Sequence, residues 1–298
     1  MLSAMGGVHP PLPIAPPRVP PLVPSGGSCS NRRVSHLLAN KISCCLAPVA
    51  ALVLLAGCTT VSETGRRQVN IFSQGEEMQL GFSEFDKMKK EVPISRDPKL
   101  NEQVQRVGKR IASVASLPGA QWEFVVFDSK EANAFCLPGG KVGIYTGILP
   151  ICKDDAGLAT VIGHEVAHAV ARHGGERMTE AAGLQMGGRI AGSILGSSKY
   201  AAYGPVFTQV YGVGSQLGVA LPHSRGQESE ADEIGLLYMA RAGYDPAASV
   251  AFWQRFGDHN RQKGGATPWF LRTHPTDDQR VANLKALLPK AQAEYRPR

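Results

Sequence analysis

Apolar and polar residues follow two different periods along this chain, and the changes of period mark out its elements. Ser73-Gln-Gly-Glu76 has the spacing of a capping box and opens a helix to about Glu91, with Met78, Phe82 and Phe85 on one side. Asp97-Pro98 supplies a cap and a first-turn proline for a second helix. Its Leu100, Val104, Val107, Ile111 and Val114 recur at helical spacing, which makes a stripe that faces a core. From Trp122 the pattern shortens. Strands are expected over Trp122–Phe127, over Asn133–Leu137 and, after the turn Pro138-Gly139-Gly140, over Lys141–Thr146. The run Leu158–Arg172 has no proline, one glycine and the apolar content of a buried helix.

Beyond Gly174-Gly175, residues 181–224 are mostly small or apolar, and no Asp, Glu, Lys or Arg falls between Tyr200 and Ser224. Close-packed helices, or a surface that touches membrane or substrate, both fit that composition. Further helices are expected over Gln227–Ala242 and from Asp245-Pro246 to about Gly257, followed by a loop over 259–272. Thr276-Asp-Asp-Gln279 has capping-box spacing and leads a last helix with Val281, Leu284 and Leu287, with a frayed tail over 291–298. The fold class is α+β: mainly helical, with a small β-sheet ahead of the apolar helix.

The first 57 residues differ from the rest. Residues 1–24 hold 8 of the 21 prolines and one charge, and cannot form a packed unit. Arg32, Arg33 and Lys41 then precede the apolar run Ile42–Gly57, the layout of a secretory signal. It ends Leu55-Ala56-Gly57-Cys58, which resembles the lipobox of bacterial lipoproteins. The expected organisation is a signal peptide over 1–57, a lipidated Cys58 with an extended tether over 58–72, and one domain over 73–290. Removing 57 of the 298 residues leaves 241, ample for one core, and takes away four basic residues and no acidic ones. The remainder carries +3 where the whole chain carries +7, so the charge gives no argument for nucleic acid. Of the cysteines left, Cys136 and Cys152 could pair or could be two separate buried thiols.

Chemistry enters with His164-Glu165-Val166-Ala167-His168. On a helix the two histidines share a face and can bind one Zn²⁺, with the Glu165 carboxylate beside them to take a proton from water. A catalytic zinc usually has three protein ligands. His173 lies nine residues after His164, on the opposite face of a continuous helix, and reads as structural or exposed. Glu228 and Asp232 are four apart on a later helix. One carboxylate can bind metal while the other accepts a hydrogen bond from a ligand histidine. A solvated charged face would give the same pattern. Glu230, about 200° round from Glu228, cannot face the same ion.

His164-Glu-Val-Ala-His168, Ser224-Arg225 and Glu228-Ser-Glu-Ala-Asp232 together resemble the HtpX/Oma-type zinc metalloproteases, related to the CAAX prenyl protease, and most of all their bacterial lipoprotein branch. The resemblance implies a zincin-like domain with Glu228 as third zinc ligand and Asp232 as its supporting residue. It implies that Asn133, Ala134, Phe135 and Cys136 belong to an edge segment that lines the substrate groove. His274-Pro275 resembles a pair near the zinc, so that His274 is either a fourth ligand that keeps the enzyme latent or a donor to the oxyanion. The implied activity is endopeptidase action, with Glu165 as general base, on unfolded or misassembled envelope proteins. A non-catalytic, zinc-stabilised lipoprotein chaperone is the alternative. Thr59 after Cys58 is not the aspartate that holds many lipoproteins at the inner membrane, and the resemblance implies the periplasmic face of the outer membrane in an organism with two membranes. Relatives with transmembrane helices or a C-terminal helical-repeat domain differ from this chain in those parts.

Overall fold

The computed structural model describes residues 58–188, 223–263 and 278–297, together with Val206, Val210, Phe270, Thr273 and His274; for 183–188, 262 and 263 it describes the backbone alone. The expected leader over 1–57, most of the uncharged 200–224 stretch, Gly264-Gly265, Trp269 and the Thr276 capping box lie outside the described residues.

The three expected strands form: β3 (Glu123–Phe127), β4 (Ala134–Leu137) and β5 (Lys141–Tyr145). β5 is central, parallel to β3 and antiparallel to β4, which leaves β4 at an edge. Their alternation divides the core in two. Phe124, Val126, Ala134, Cys136, Val142 and Ile144 face a helical core. Phe127, Phe135, Leu137 and Tyr145 join a second cluster with Phe85 and Met88. The helices on that second side and around the first are α1 (Gln74–Glu91), α2 (Pro98–Ala112), the short α3 (Leu149–Cys152), α4 (Asp155–Val170), α5 (His173–Gly188), α6 (Arg225–Arg241), α7 (Ala248–Lys263) and α8 (Asp278–Glu294).

Local chemistry sets the helix starts. Ser73 and Glu76 make the reciprocal capping box, Asp97 accepts from the Lys99 and Leu100 amides, and Ser224 makes a box with Gln227. Asp154 caps α4 by accepting from Gly157 N at 2.9 Å. Every residue of α4 from Gly157 to Val170 is buried, so this helix is the centre of the domain. α6 crosses it at glycine. A Cβ on Gly235 would lie 3.1 Å from His164 N, and one on Gly163 would lie 3.1 Å from Gly235 O. A side chain at either position would push the neighbouring backbone away by a few tenths of an ångström.

Four expectations are corrected. Residues 58–72, read as an extended tether, carry a hairpin of β1 (Cys58–Thr60) and β2 (Arg67–Val69), closed at Gly65 in the left-handed region. Val61, Gln68, Asn70 and Phe72 are buried, so the segment is part of the fold. α1 buries Glu77, Leu80, Gly81, Phe85 and Met88, whereas Met78 and Phe82 are only partly covered. The face is rotated because Asn70 and Arg172 give the Glu77 carboxylate buried partners. α7 runs past Gly257 to Lys263. The C-terminal tail is not frayed at 291: Ala291 is buried, α8 continues to Glu294, and Glu294 pairs with Arg241. Cys136 and Cys152 are both buried free thiols. No described helix is long and apolar enough to cross a membrane.

Gly235→Val would force branched carbons into the α4 backbone. The expected loss is about 1–3 kcal/mol of stability, read as a Tm several degrees lower in a thermal melt; an unchanged Tm would show that the crossing tolerates a side chain.

Candidate metal centre

α4 and α6 carry the site. His164 and His168, one turn apart on α4, point their Nε2 atoms to within 3.1 Å of each other. Glu228, in the first turn of α6, brings Oε1 to 3.2 Å from His168 Nε2 and Oε2 to 3.5 Å from His164 Nε2. His274 places Nδ1 2.8 Å from Glu228 Oε1 and 3.2 Å from His164 Nε2. All four residues are buried. Asp232, one turn after Glu228, has Oδ1 3.0 Å from His164 Nδ1. A carboxylate only accepts, so His164 carries a proton on Nδ1, and as a neutral ring would present a lone pair at Nε2.

These atoms fit a zinc ion. Lone pairs of two imidazoles and a carboxylate oxygen converge, an arrangement that repels itself unless a cation lies between them. Four tetrahedral ligands with bonds of about 2.0–2.1 Å stand roughly 3.3 Å apart, close to the spacings here. The donor set of imidazole nitrogen and carboxylate oxygen suits zinc. Beside the cluster, Glu165 Oε1 is buried with no hydrogen-bond partner and lies 3.5 Å from His274 Nε2.

Electrostatics separates the two glutamates. Burial pushes the Glu165 carboxyl up, against the opposing pull of His274 and His164. Burial works on Glu228 in the same sense, but His274, Arg280 and His164 outweigh it and hold that carboxyl well below the usual range. Burial likewise keeps His168 neutral, as a ligand must be. Cys136 faces the same pocket, but burial pushes its thiol well up, so it is no thiolate nucleophile.

The edge strand borders this site. Asn133, Ala134, Phe135 and Cys136 line one pocket with Glu165 and His274. Tyr145 N donates to Asn133 O at 3.0 Å. By the alternation of an antiparallel pair, Ala134 and Cys136 therefore turn their backbone groups away from β5, to an edge that no strand covers among the described residues. The Asn133 side chain accepts from Ala134 N at 2.9 Å.

Several residues of the site were not anticipated. Arg280 of α8 ion-pairs with Glu228 Oε2 at 2.8 Å, donates from Nε and Nη2 to Asp232 at 2.8 and 2.7 Å, and stacks on Trp253 at 3.5 Å. Its position in the same helical stripe as Leu284 and Ala291 is the sequence signal for a buried arginine. His223 tilts over His168, with ring centroids 3.9 Å apart. His173 is fully buried and reaches His168, because α4 stops at Val170 and Arg172 turns the chain in the left-handed region (φ 55°). The nine-residue count assumed a helix that continues. Glu230 faces away from the Glu228 cluster, toward His173.

Two histidines four apart on one helix, an acidic helix crossing it and a glutamate beside the ligands define a zincin-like, HExxH-type centre. The chain belongs to peptidase family M48, whose profile matches residues 98–288. It is 37% identical over 202 residues to the mitochondrial metalloendopeptidase OMA1 of Schizosaccharomyces pombe, covering 64% of this chain and 54% of that protein. Against the Saccharomyces cerevisiae protein of the same name, identity is 38% over 184 residues, 60% of this chain and 50% of the other. The beta-barrel assembly-enhancing protease of Escherichia coli K12 is 27% identical over 229 residues, 76% of this chain and 46% of that one. The chain thus spans about half the length of these relatives.

The purified chain should hold one zinc. His168→Ala and Glu228→Ala should each weaken binding severely while Glu165→Gln leaves the stoichiometry at one, as measured by atomic emission after dialysis; zinc retained by the ligand variants would place the ion elsewhere.

Proposed function

We propose that this protein is a zinc-dependent endopeptidase, anchored by lipid at Cys58, that hydrolyses peptide bonds of unfolded or misassembled envelope proteins. The observation that carries the reading is the Glu165 carboxylate, buried and unpartnered at Oε1 beside a complete ligand set. A metal that only held the fold together would need no such base. His164, His168 and Glu228 would hold the zinc, which when bound would supply Lewis acidity toward water and a peptide carbonyl. Glu165, its proton affinity already raised by burial, takes the proton from that water and returns it to the leaving nitrogen. Asp232 holds the His164 ring, and Arg280 balances the Asp232 and Glu228 charges.

A substrate strand added at β4 would pair with the outward backbone groups of Cys136 and the Ala134 carbonyl, the Ala134 N–H being held by the Asn133 side chain. Such pairing reads main chain before side chain, which suits extended, unfolded polypeptides. The names of the Escherichia coli and Yersinia pestis relatives, beta-barrel assembly-enhancing protease, support a substrate in the cell envelope. Cys58 is exposed at the start of β1, open to lipidation, and would set the domain against the membrane surface, in our reading the periplasmic face of the outer membrane.

His274 Nδ1 lies among the ligand atoms, 3.2 Å from His164 Nε2 and 2.8 Å from Glu228 Oε1. This geometry favours the reading in which His274 takes the fourth position and keeps the enzyme latent. His274→Ala should then raise casein hydrolysis several-fold; a fall would make it a donor to the oxyanion instead. Glu165→Gln should lower turnover by roughly 10²–10⁴-fold at unchanged zinc content. If neither wild type nor His274→Ala cleaves casein while both hold zinc, the protein is the non-catalytic chaperone.

A further inference from the structure

The N-terminal hairpin lies outside the residues matched by the family profile, yet its side chains lead to the metal centre. Arg66, just past the turn, donates from Nε to Glu230 Oε2 at 2.6 Å. Its Nη1 and Nη2 hold Glu176 of α5 at 2.9 and 3.1 Å, and Nη2 also reaches Gln68 at 2.9 Å. Thr64 of the same turn donates to Glu230 Oε1. Glu230 Oε2 in turn faces His173 Nε2 at 2.8 Å, and His173 Nδ1 faces His168 Nδ1 at 2.8 Å. Glu230 and both histidines are buried.

With Glu230 ionised and both imidazoles neutral, this chain of contacts allows one proton placement. Ionised Glu230 can only accept, so His173 carries its proton on Nε2. A neutral His173 then has a lone pair at Nδ1, which requires the proton of His168 to sit on Nδ1. The lone pair of His168 is left at Nε2, facing His164 and Glu228. With both its nitrogens engaged, His168 has no donor left for a second ion, although His168, His173 and His223 stand close enough to suggest one.

We propose that Arg66, Glu230 and His173 are positioning residues for the metal ligand His168, and that the N-terminal hairpin is thereby a working part of the metal centre. The proposal rests on the metal-centre reading above. A hairpin that merely covered the core would not need an ionic relay ending on a ligand ring.

Two measurements on the full chain test it. In the first, zinc dissociation constants are taken by competition with a chromogenic chelator at neutral pH, with Tm of the metal-free protein recorded for each variant. His173→Phe keeps a ring but leaves His168 Nδ1–H without an acceptor, and should weaken zinc by roughly 10- to 100-fold. Glu230→Met and Arg66→Met should shift affinity in the same direction by less. Glu230→Gln should stay near wild type, because its amide oxygen can still accept from His173. Arg106→Gln, which removes the exposed pair with Asp155 on another face, should leave zinc affinity unchanged. Constants within twofold of wild type for His173→Phe and Glu230→Met would overturn the proposal. Wild type that binds no more tightly than His164→Ala would instead overturn the metal centre itself. The second measurement needs no variant. Long-range ¹H–¹⁵N correlation spectra of the zinc-loaded chain should show His173 as the Nε2–H tautomer and His168 protonated on Nδ1; His173 protonated on Nδ1 would overturn the relay even if every variant failed to fold.

Discussion

Everything in the site depends on how closely α4 and α6 cross. Gly163 and Gly235 let the two backbones touch, which sets the first turn of α6 against the middle of α4. That contact puts Glu228 beside both histidine rings and Asp232 behind one of them. A glycine inside a helix costs about 1 kcal/mol relative to alanine, and both helices carry one at the same crossing. The local loss accompanies a crossing that brings the Glu228 carboxylate and two imidazoles within reach of one ion, with Asp232 behind the His164 ring.

Burying that many ionisable groups is tolerable only because each has a partner. Arg280 supplies the positive charge, set between Glu228 and Asp232 and stacked on Trp253. A second ionic set, Arg66 with Glu176 and Glu230, does the same on the far side of His168. The ligand histidines thus sit between two charge-balanced clusters, one reached through Asp232 and the other through His173. Glu165 is held more loosely: nothing donates to its Oε1, which lies 3.5 Å from His274 Nε2. Its carboxylate shares one pocket with Ala134 and Cys136 of β4.

His164, Glu165 and His168 can be read from the chain because one helical period places them together, and Glu228 and Asp232 follow from the same rule on a second helix. The strands and the caps at Ser73 and Asp97 are equally local, and they stand where their residues put them. What could not be read is non-local. The register of α1 depends on Arg172 and Asn70 reaching Glu77. His173 depends on a helix break at Arg172 that no glycine or proline announces at that residue. The 58–72 segment lacks a clear period because its burial comes from Val61, Gln68 and Asn70 against helices far along the chain. Arg280 carries a signal, a charge within an apolar stripe, but its partners lie 48 and 52 residues earlier. Helical pairing of α8 with α6 also explains why the chain stays ordered beyond Ala291.

The most direct test of a single zinc held by His164, His168 and Glu228 is X-ray absorption at the zinc edge of the loaded, full-length chain. The account predicts a four-coordinate shell of nitrogen and oxygen at about 2.0–2.1 Å with imidazole scattering from at least two rings. A sulfur shell at about 2.3 Å, or a shell without imidazole, would contradict it.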